Sequence, residues 1–493
     1  MNKAFLLALI ATPAVAKDKR PNVLIAIADD MSYPYCSAYG EKGVMTPGFD
    51  YVASSGVFFS NAYVCSPGSS PSRASILTGK YPWEIAEAGT HASSFPSEYL
   101  CFPDLLASTG YNIGFTGKGW GPGNWKVSGR EHNPAGIEYN EKKLSPPHSG
   151  ISTIDYTSNF IQFLDNTDKL QPFCFWYGSQ EPHRPYSADA WEKESRSVDN
   201  LVVPPYLPDA DVVRGDLANY IIEIEWFDKH LVQILDVLKE RNLLENTIVI
   251  VTADNGMPFP HAKANCYDAG IHVPLAICWG NKIKHNQLET AIVSLLDLMP
   301  TLLDFIGINY QSLDMSGESL SPLLGLRKGK YQRESAFSGR ERHSSARYNN
   351  WGYPIRSVRK GDYLLVRNFH PERWPAGNPL QKDDINLQRG FRDIDDSPTK
   401  QFLIQHHSDK KCQPFYQLSV GKRPEFELYD LSNDPGCMNN LASEEKYSVI
   451  LEGMKLRLES ELKMSHDPRC GGNQEIWESY PRLAGGNNLF NPD

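Results

Sequence analysis

The sequence predicts an α/β fold, with a central mixed sheet flanked by helices and a smaller α+β domain after it. Three observations carry that expectation. Four continuous apolar runs each end in polar residues able to do chemistry, a long amphipathic helix separates the last two, and the chain changes character near residue 330. At 493 residues the chain also exceeds what one compact core holds, because single cores stop growing at about 250–300 residues.

The four runs come first. Residues 23–28 (VLIAIA) end at Asp29-Asp30, and residues 112–115 lead into Gly117-Lys118. Residues 173–177 lead into Ser179-Gln180-Glu181-Pro182-His183, and residues 247–252 (TIVIVT) run into Asp254-Asn255. Strands buried on both faces read as unbroken apolar runs. In open α/β sheets, ligands bind beyond the carboxyl ends of the strands. The four endings are therefore expected to share one site.

The helix between the last two runs keeps Leu217, Tyr220, Ile221, Ile224, Leu231, Ile234, Leu235 and Leu238 on one face. Lys239 and Arg241 close it, as the helix dipole favours. A second helix is expected over residues 290–306. Beyond 330, residues 333–347 are polar, and residues 353–369 read as a hairpin about Lys360-Gly361-Asp362. A strand at 426–429 and a closing helix at 444–462 complete a small domain. Residues 370–415 read as long loops. The predicted division is a leader at 1–16, a catalytic domain at 17–330 and a C-terminal subdomain at 331–493.

The net charge of −10 and pI near 5.8 argue against a nucleic-acid binder, which carries a basic face. Lys3, an apolar run at 4–11 and Ala14-Val15-Ala16 have the form of an export signal. No later run is long enough to span a bilayer. A periplasmic or secreted protein without membrane attachment is expected. The nine cysteines include no CxxC pair, so a structural zinc site is not expected. One or two disulfides are possible in an exported chain, with Cys174 and Cys278 expected to be simply buried.

The most informative segment is Ser69-Ser70-Pro71-Ser72-Arg73-Ala74-Ser75-Ile76-Leu77-Thr78-Gly79. It resembles the signature of the type I sulfatases, (C/S)-x-P-S-R-(x)4-T-G, whose first residue is oxidised to formylglycine. The plain alternative is a loop entering a helix with Ser72 as its cap. Residues 254–260 and 354–358 are similar to the heparan N-sulfatase (sulfamidase) branch and its bacterial polysaccharide-sulfatase relatives. The resemblance implies an alkaline-phosphatase-like fold. It also implies Ca2+ held by Asp29, Asp30, Ser69, Asp254 and Asn255, all hard oxygen donors. Taken singly, these residues would be ordinary turn or capping residues.

The resemblance further implies catalytic roles for Ser69, Arg73, Lys118, His183 and Lys263. One hydroxyl of the hydrated formylglycine attacks sulfur, with the metal lowering its pKa. Arg73, Lys118 and Lys263 offset charge on the transferring oxygens, and His183 protonates the leaving oxygen. The second hydroxyl then releases sulfate. A maturation enzyme that makes formylglycine is an implied partner, acting on Ser69 or on a cysteine that Ser69 replaces. Two departures stand out. Lys263 falls where the sulfamidase branch has arginine, and Trp120 stands where the family has the histidine of Lys-x-His, with His91, His261 and His272 as candidates to supply the missing group. Trp120, His261, Arg342 and His343 are candidate substrate contacts, with Trp120 stacking on a sugar. Arg340, Arg347 and Trp351 are further candidates for touching an anionic glycan.

The reading is hydrolysis of sulfate esters on a polysaccharide-derived oligosaccharide. Alternatives are an N-sulfoglucosamine sulfohydrolase, a phosphomonoester or phosphonate hydrolase of the same superfamily, and an inactive glycan-binding homologue.

Overall fold

The computed structural model describes residues 19–379 and 390–484. The leader expected at 1–16 lies outside them. The strands, in chain order, are β1 (Asn22–Ala28), β2 (Gly56–Tyr63), β3 (Asn112–Gly117), β4 (Ile137–Glu138), β5 (Phe173–Gly178), β6 (Thr247–Ala253), β7 (His272–Cys278), β8 (Gln287–Glu289) and β9 (Val293–Ser294). A second group follows: β10 (Ser335–Arg340), β11 (Ile355–Lys360), β12 (Tyr363–Asn368) and β13 (Phe426–Asp430).

The first nine form one mixed sheet in the order β4-β3-β5-β1-β6-β7-β2-β8, with β9 also on β2. β3, β5, β1 and β6 run parallel, whereas β7 is antiparallel to both neighbours. Every residue of β1, β5 and β6 is buried, which is why their sequences are continuously apolar. Asp211–Glu240 forms a 30-residue helix that buries the predicted face, including Leu217, Ile224, Leu231 and Leu238. The expected helix at 290–306 is shorter: Leu298–Ile306 is helical, preceded by β9 and a turn. There Ser294 and Asp297 cap each other's backbone, which sets the later start.

The last four strands form an antiparallel sheet in the order β10-β11-β12-β13. The hairpin turns at Lys360–Tyr363 as expected. Ser448–Met464 forms the closing helix, and its Leu451, Met454, Leu458 and Leu462 pack with Val358, Leu365 and Leu428. The small sheet is tied to the large one where Gly339 N–H donates to the Cys65 carbonyl at 2.8 Å. The stretch expected as loops contains two helices, Pro398–Gln405 and Gln413–Val420, the first capped by Ser397. All nine cysteines are unpaired, eight of them buried, so the expected disulfides are absent. Among the described residues no helix is long and apolar enough to cross a membrane.

Candidate active site

β1 and β6 are adjacent and parallel, with Ala28 opposite Ala253. The two strands therefore end side by side, bringing Asp29-Asp30 against Asp254-Asn255. Asp254 N–H donates to the Ala28 carbonyl at 3.1 Å, and Asp30 N–H donates to Asp254 Oδ1 at 3.0 Å. Asp30 takes φ 73°, a left-handed conformation uncommon outside glycine. Strain of that kind gathers where function fixes a side chain's direction.

Ser69 opens the helix Ser69–Thr78, all of whose residues are buried. Gly68 is the cap and Ser72 Oγ has no partner, so the expected capping by Ser72 is not what starts this helix. Gly79, at φ 64°, ends it with a left-handed turn that glycine adopts readily. The helix points its free N–H groups at the strand ends, a setting that favours an anion.

Ser69 Oγ donates to Asp29 Oδ1 at 3.0 Å, and Lys118 Nζ donates to Ser69 Oγ at 2.9 Å. Asn255 Oδ1 lies 3.5 Å from the same oxygen. Lys118, just beyond β3, also donates to both Asp29 oxygens at 2.8 and 2.6 Å. Arg73, fully buried one helical turn after Ser69, donates Nε to Asp254 Oδ2 at 2.7 Å. Its Nη1 donates to the Lys118 and Gly119 carbonyls. Lys263 Nζ bridges Asp30 Oδ2 and Asp395 Oδ2, each at 2.7 Å. Asn255 Nδ2 donates to Asp30 Oδ1 at 2.6 Å. His183 Nδ1–H donates to the Arg184 carbonyl at 2.6 Å, leaving Nε2 free, 3.8 Å from Asp30 Oδ2. That tautomer leaves a nitrogen of a part-exposed ring available to carry a proton at the mouth of the site.

Burial alone would raise the Asp29 carboxyl, but Lys118, His183 and Arg73 outweigh it and hold it well below the usual range. Asp254 goes the other way: burial, then the charge of Asp29, raises it. Burial disfavours the charged form of Lys263, yet Asp30 and Asp395 hold its pKa above the ordinary value. Carboxylate oxygens of Asp29, Asp30 and Asp254 lie within 4.8 Å of one another, and all three residues are buried. Three mutually repelling carboxylates, an amide oxygen and the Ser69 oxygen make a hard donor set that fits a Ca2+-sized cation.

The structure thus brings Ser69, Arg73, Lys118, His183, Lys263, Asp29, Asp30, Asp254 and Asn255 into one cluster. It treats the substrate candidates differently. Trp120 is 3% exposed, donates Nε1 to the Ser70 carbonyl at 3.0 Å and packs edge-on against Phe95. It braces the helix that carries Ser69 and has no free face for a sugar. His261 is fully buried, its ring nitrogens 3.1 and 3.0 Å from the Leu418 and Gly436 carbonyls. Those acceptors favour a second proton, but burial and Arg423 prevail and push its pKa down to about 3. It ties chain segments together. Arg340 and Arg347 both pair with Asp393, at 3.7 and 2.6 Å, and so serve the fold. Trp351 is half-buried beneath the Arg373 guanidinium. Arg342 and His343 are buried near Gly68 and are taken up below.

One neighbour of the site was not among the sequence candidates for its chemistry. Asp395 reaches Lys263 across 132 positions of sequence, and nothing in Asp393-Ile394-Asp395-Asp396 marks which carboxylate does so. Of the histidines considered in place of the family's, His91 lies against His343, ring centroids 4.5 Å apart, whereas His272 is buried between Asp268 and the Ser60 carbonyl.

The sulfatase family model matches residues 21–308, and a model described as N-sulphoglucosamine sulphohydrolase, C-terminal, matches residues 261–389. The human N-sulphoglucosamine sulphohydrolase is 27% identical across 94% of this chain and 93% of its own. An N-acetylglucosamine-6-O-sulfatase of Bacteroides thetaiotaomicron is 25% identical across 94% and 90%. A solved structure in complex with its substrate, D-glucosamine-2-N,6-O-disulfate, superposes with TM-score 0.63 at 22% identity, covering 91% of this chain and 98% of that one. That last likeness concerns the fold. With more than half of its length matched by the family model, the chain belongs to the sulfatase family of sulfuric ester hydrolases.

Proposed function

We propose that this chain is an exported, Ca2+-dependent sulfatase that removes O-sulfate from a sugar of an anionic polysaccharide, using formylglycine made at Ser69. The observation that carries this reading is the setting of Ser69 Oγ, 3.0 Å from Asp29, 2.9 Å from Lys118 and 3.5 Å from Asn255. A residue at that point faces the cation donors and a lysine together. Asp29, Asp30, Asp254 and Asn255 would hold Ca2+, which when bound polarises a sulfate oxygen and acidifies an adjacent hydroxyl. A formylglycine at 69 supplies a carbon bearing two hydroxyls, one to attack and one to release the product.

The chain's own residues supply the rest. Lys118, anchored by Asp29, places a positive charge beside the attacking oxygen. Arg73 neutralises Asp254 and fixes the Lys118 backbone. His183 Nε2 is placed to give a proton to the leaving oxygen, because its other nitrogen is committed to a carbonyl. Lys263, balanced by Asp30 and Asp395, remains protonated and draws the sulfate inward.

Trp120 cannot exchange protons, so one proton-handling group of the family pattern is missing at that position. This departure from the sulfamidase branch favours an O-sulfate ester over the N-sulfate acted on by the sulfamidase relative. The same reading includes a maturation enzyme as partner, export through the leader, and catalytic and C-terminal units divided near 330. Co-expression with a formylglycine-generating enzyme, then sulfate release from glucosamine 6-O-sulfate with and without a chelator, tests it. Release that chelation stops and Ca2+ restores is expected. Ester cleavage only on phosphate or phosphonate analogues would overturn the reading.

A further inference from the structure

Close to Gly68, and so to Ser69, lie two histidines, His91 and His343, which burial keeps below their usual pKa. Two arginines, Arg342 and Arg482, adjoin His343, and the catalytic site uses none of these side chains. Arg342 is 3% exposed, yet only its Nη1 is engaged, donating to the Tyr480 carbonyl at 2.9 Å. Its Nε and Nη2 have no partner. Arg73, Arg184, Arg347, Arg356 and Arg469 are comparably buried, and each has a carboxylate oxygen within 2.6–2.8 Å. Among the described residues no carboxylate is in ion-pair contact with Arg342, and Glu478 acts on it only from a greater distance. Arg482 lies close enough to add to the penalty: burial, then Arg482, pushes Arg342 down to about 10. Arg482 itself donates Nη1 to the His343 carbonyl at 3.0 Å, while its Nε is unpartnered.

The two histidines connect this pair to the reaction centre. A Cβ on Gly68 would lie 3.1 Å from His343 Nδ1 and 3.7 Å from His91 Cδ2. His91 Nδ1 also lacks a partner. Among the described residues three guanidinium nitrogens of Arg342 and Arg482 thus go unanswered, where a buried cation ordinarily demands an anion, beside a His91 ring whose pKa burial lowers. His91 and Arg482 are only partly buried, although the unpartnered nitrogens themselves lie just beneath the surface, shielded from solvent. A guanidinium edge matches the paired oxygens of a sulfate or carboxylate.

We propose that Arg342, Arg482, His91 and His343 form a second anion subsite, which holds a further sulfate or a carboxylate on the sugar whose scissile sulfate lies at Ser69. The substrate is then a sugar with at least two anionic groups, and a singly sulfated sugar is a poor one. This rests on the sulfatase reading for the identity of the first group, but its test does not need turnover.

The full chain, with Ser69 unconverted, is titrated calorimetrically with glucosamine 6-O-sulfate, glucosamine 2-N,6-O-disulfate and a 2-O-sulfated uronate. Wild type is expected to bind at least one doubly anionic sugar about tenfold or more tighter than the singly charged one, as one added charge-assisted contact provides. Which of the two is preferred separates sulfate from carboxylate. The ratio should collapse towards one in Arg482→Gln and in Arg342→Gln. Arg482→Gln, at a partly exposed residue, covers the case in which Arg342→Gln does not fold. Equal affinities in wild type, no binding of any of the three sugars, or a preference retained in both variants would each overturn the subsite. Failure of matured protein to hydrolyse any sulfate ester, with the preference intact, would instead overturn the sulfatase reading.

Discussion

Replacing Arg73 by methionine removes the guanidinium in contact with Asp254 while keeping an unbranched side chain. Both partners are fully buried, and Nε lies 2.7 Å from Asp254 Oδ2. Breaking a buried pair from one side leaves an uncompensated charge, which typically costs about 3–5 kcal/mol. The Gly119 carbonyl loses its Arg73 donor as well, while the Lys118 carbonyl keeps Trp176 Nε1. Part of the loss is recoverable, because burial and Asp29 already raise the Asp254 pKa, so Asp254 can neutralise by taking a proton. We therefore expect about 3 kcal/mol, measured by urea unfolding in a chelator at neutral pH. Added Ca2+ should reduce that loss, since the cation replaces the missing positive charge, and Arg73→Met with Asp254→Asn should be less than additive. A cost under about 1 kcal/mol in chelator, where a buried pair is worth several times that, would refute the reasoning. So would a cost unchanged by Ca2+.

Three further predictions concern the same cluster and its surroundings. Ca2+ at about a hundred times its Kd should stabilise the wild type by about 2.7 kcal/mol, and Asp254→Asn should abolish that gain in a thermal shift assay. In matured enzyme, Lys118→Met should lower kcat by about 10²–10³ with a smaller change in KM, because the lysine opposes charge that grows during reaction; steady-state kinetics measure it. Acid should unfold the protein from pH 6.5 downward. His230 is pushed down to about 4 and His261 to about 3, chiefly by burial, so the unfolded chain takes up protons that the folded one refuses. That stabilisation is complete above pH 6.5 and lost as pH falls through about 4 for His230 and about 3 for His261, at most about 3 and about 5 kcal/mol respectively. His230→Gln should flatten the dependence of unfolding midpoint on pH.

The strands that carry chemistry were legible because burial on both faces makes them unbroken apolar runs, and their polar endings then stand out. β2 and β7 were not. β2 carries Ser60 and Asn61 where its register with β7 shifts, and β7 contains Pro274. Either feature hides a strand from a period-based reading. The helices at 398–405 and 413–420 were missed because each is only about two turns long, too short for an apolar face to repeat visibly. At the site, residues that follow strands or open the Ser69 helix could be named from sequence, since local chain geometry puts them there. The contact of Asp395 with Lys263 and the burial of Trp120 depend on loops that return from distant positions, and no local pattern encodes such a return. The Lys118-Gly119-Trp120 departure was visible. Its consequence, a brace under the Ser69 helix in place of a sugar platform, required the tertiary contacts of Trp120 with Ser70 and Phe95.

The central claim is that Ser69 becomes the reacting group. Peptide mass spectrometry on residues 69–73, in protein made by its native host, tests it most directly. The account predicts loss of two hydrogens at Ser69, with or without added water, together with sulfate release by the same preparation. An unmodified Ser69 in a preparation that still hydrolyses sulfate esters would contradict it.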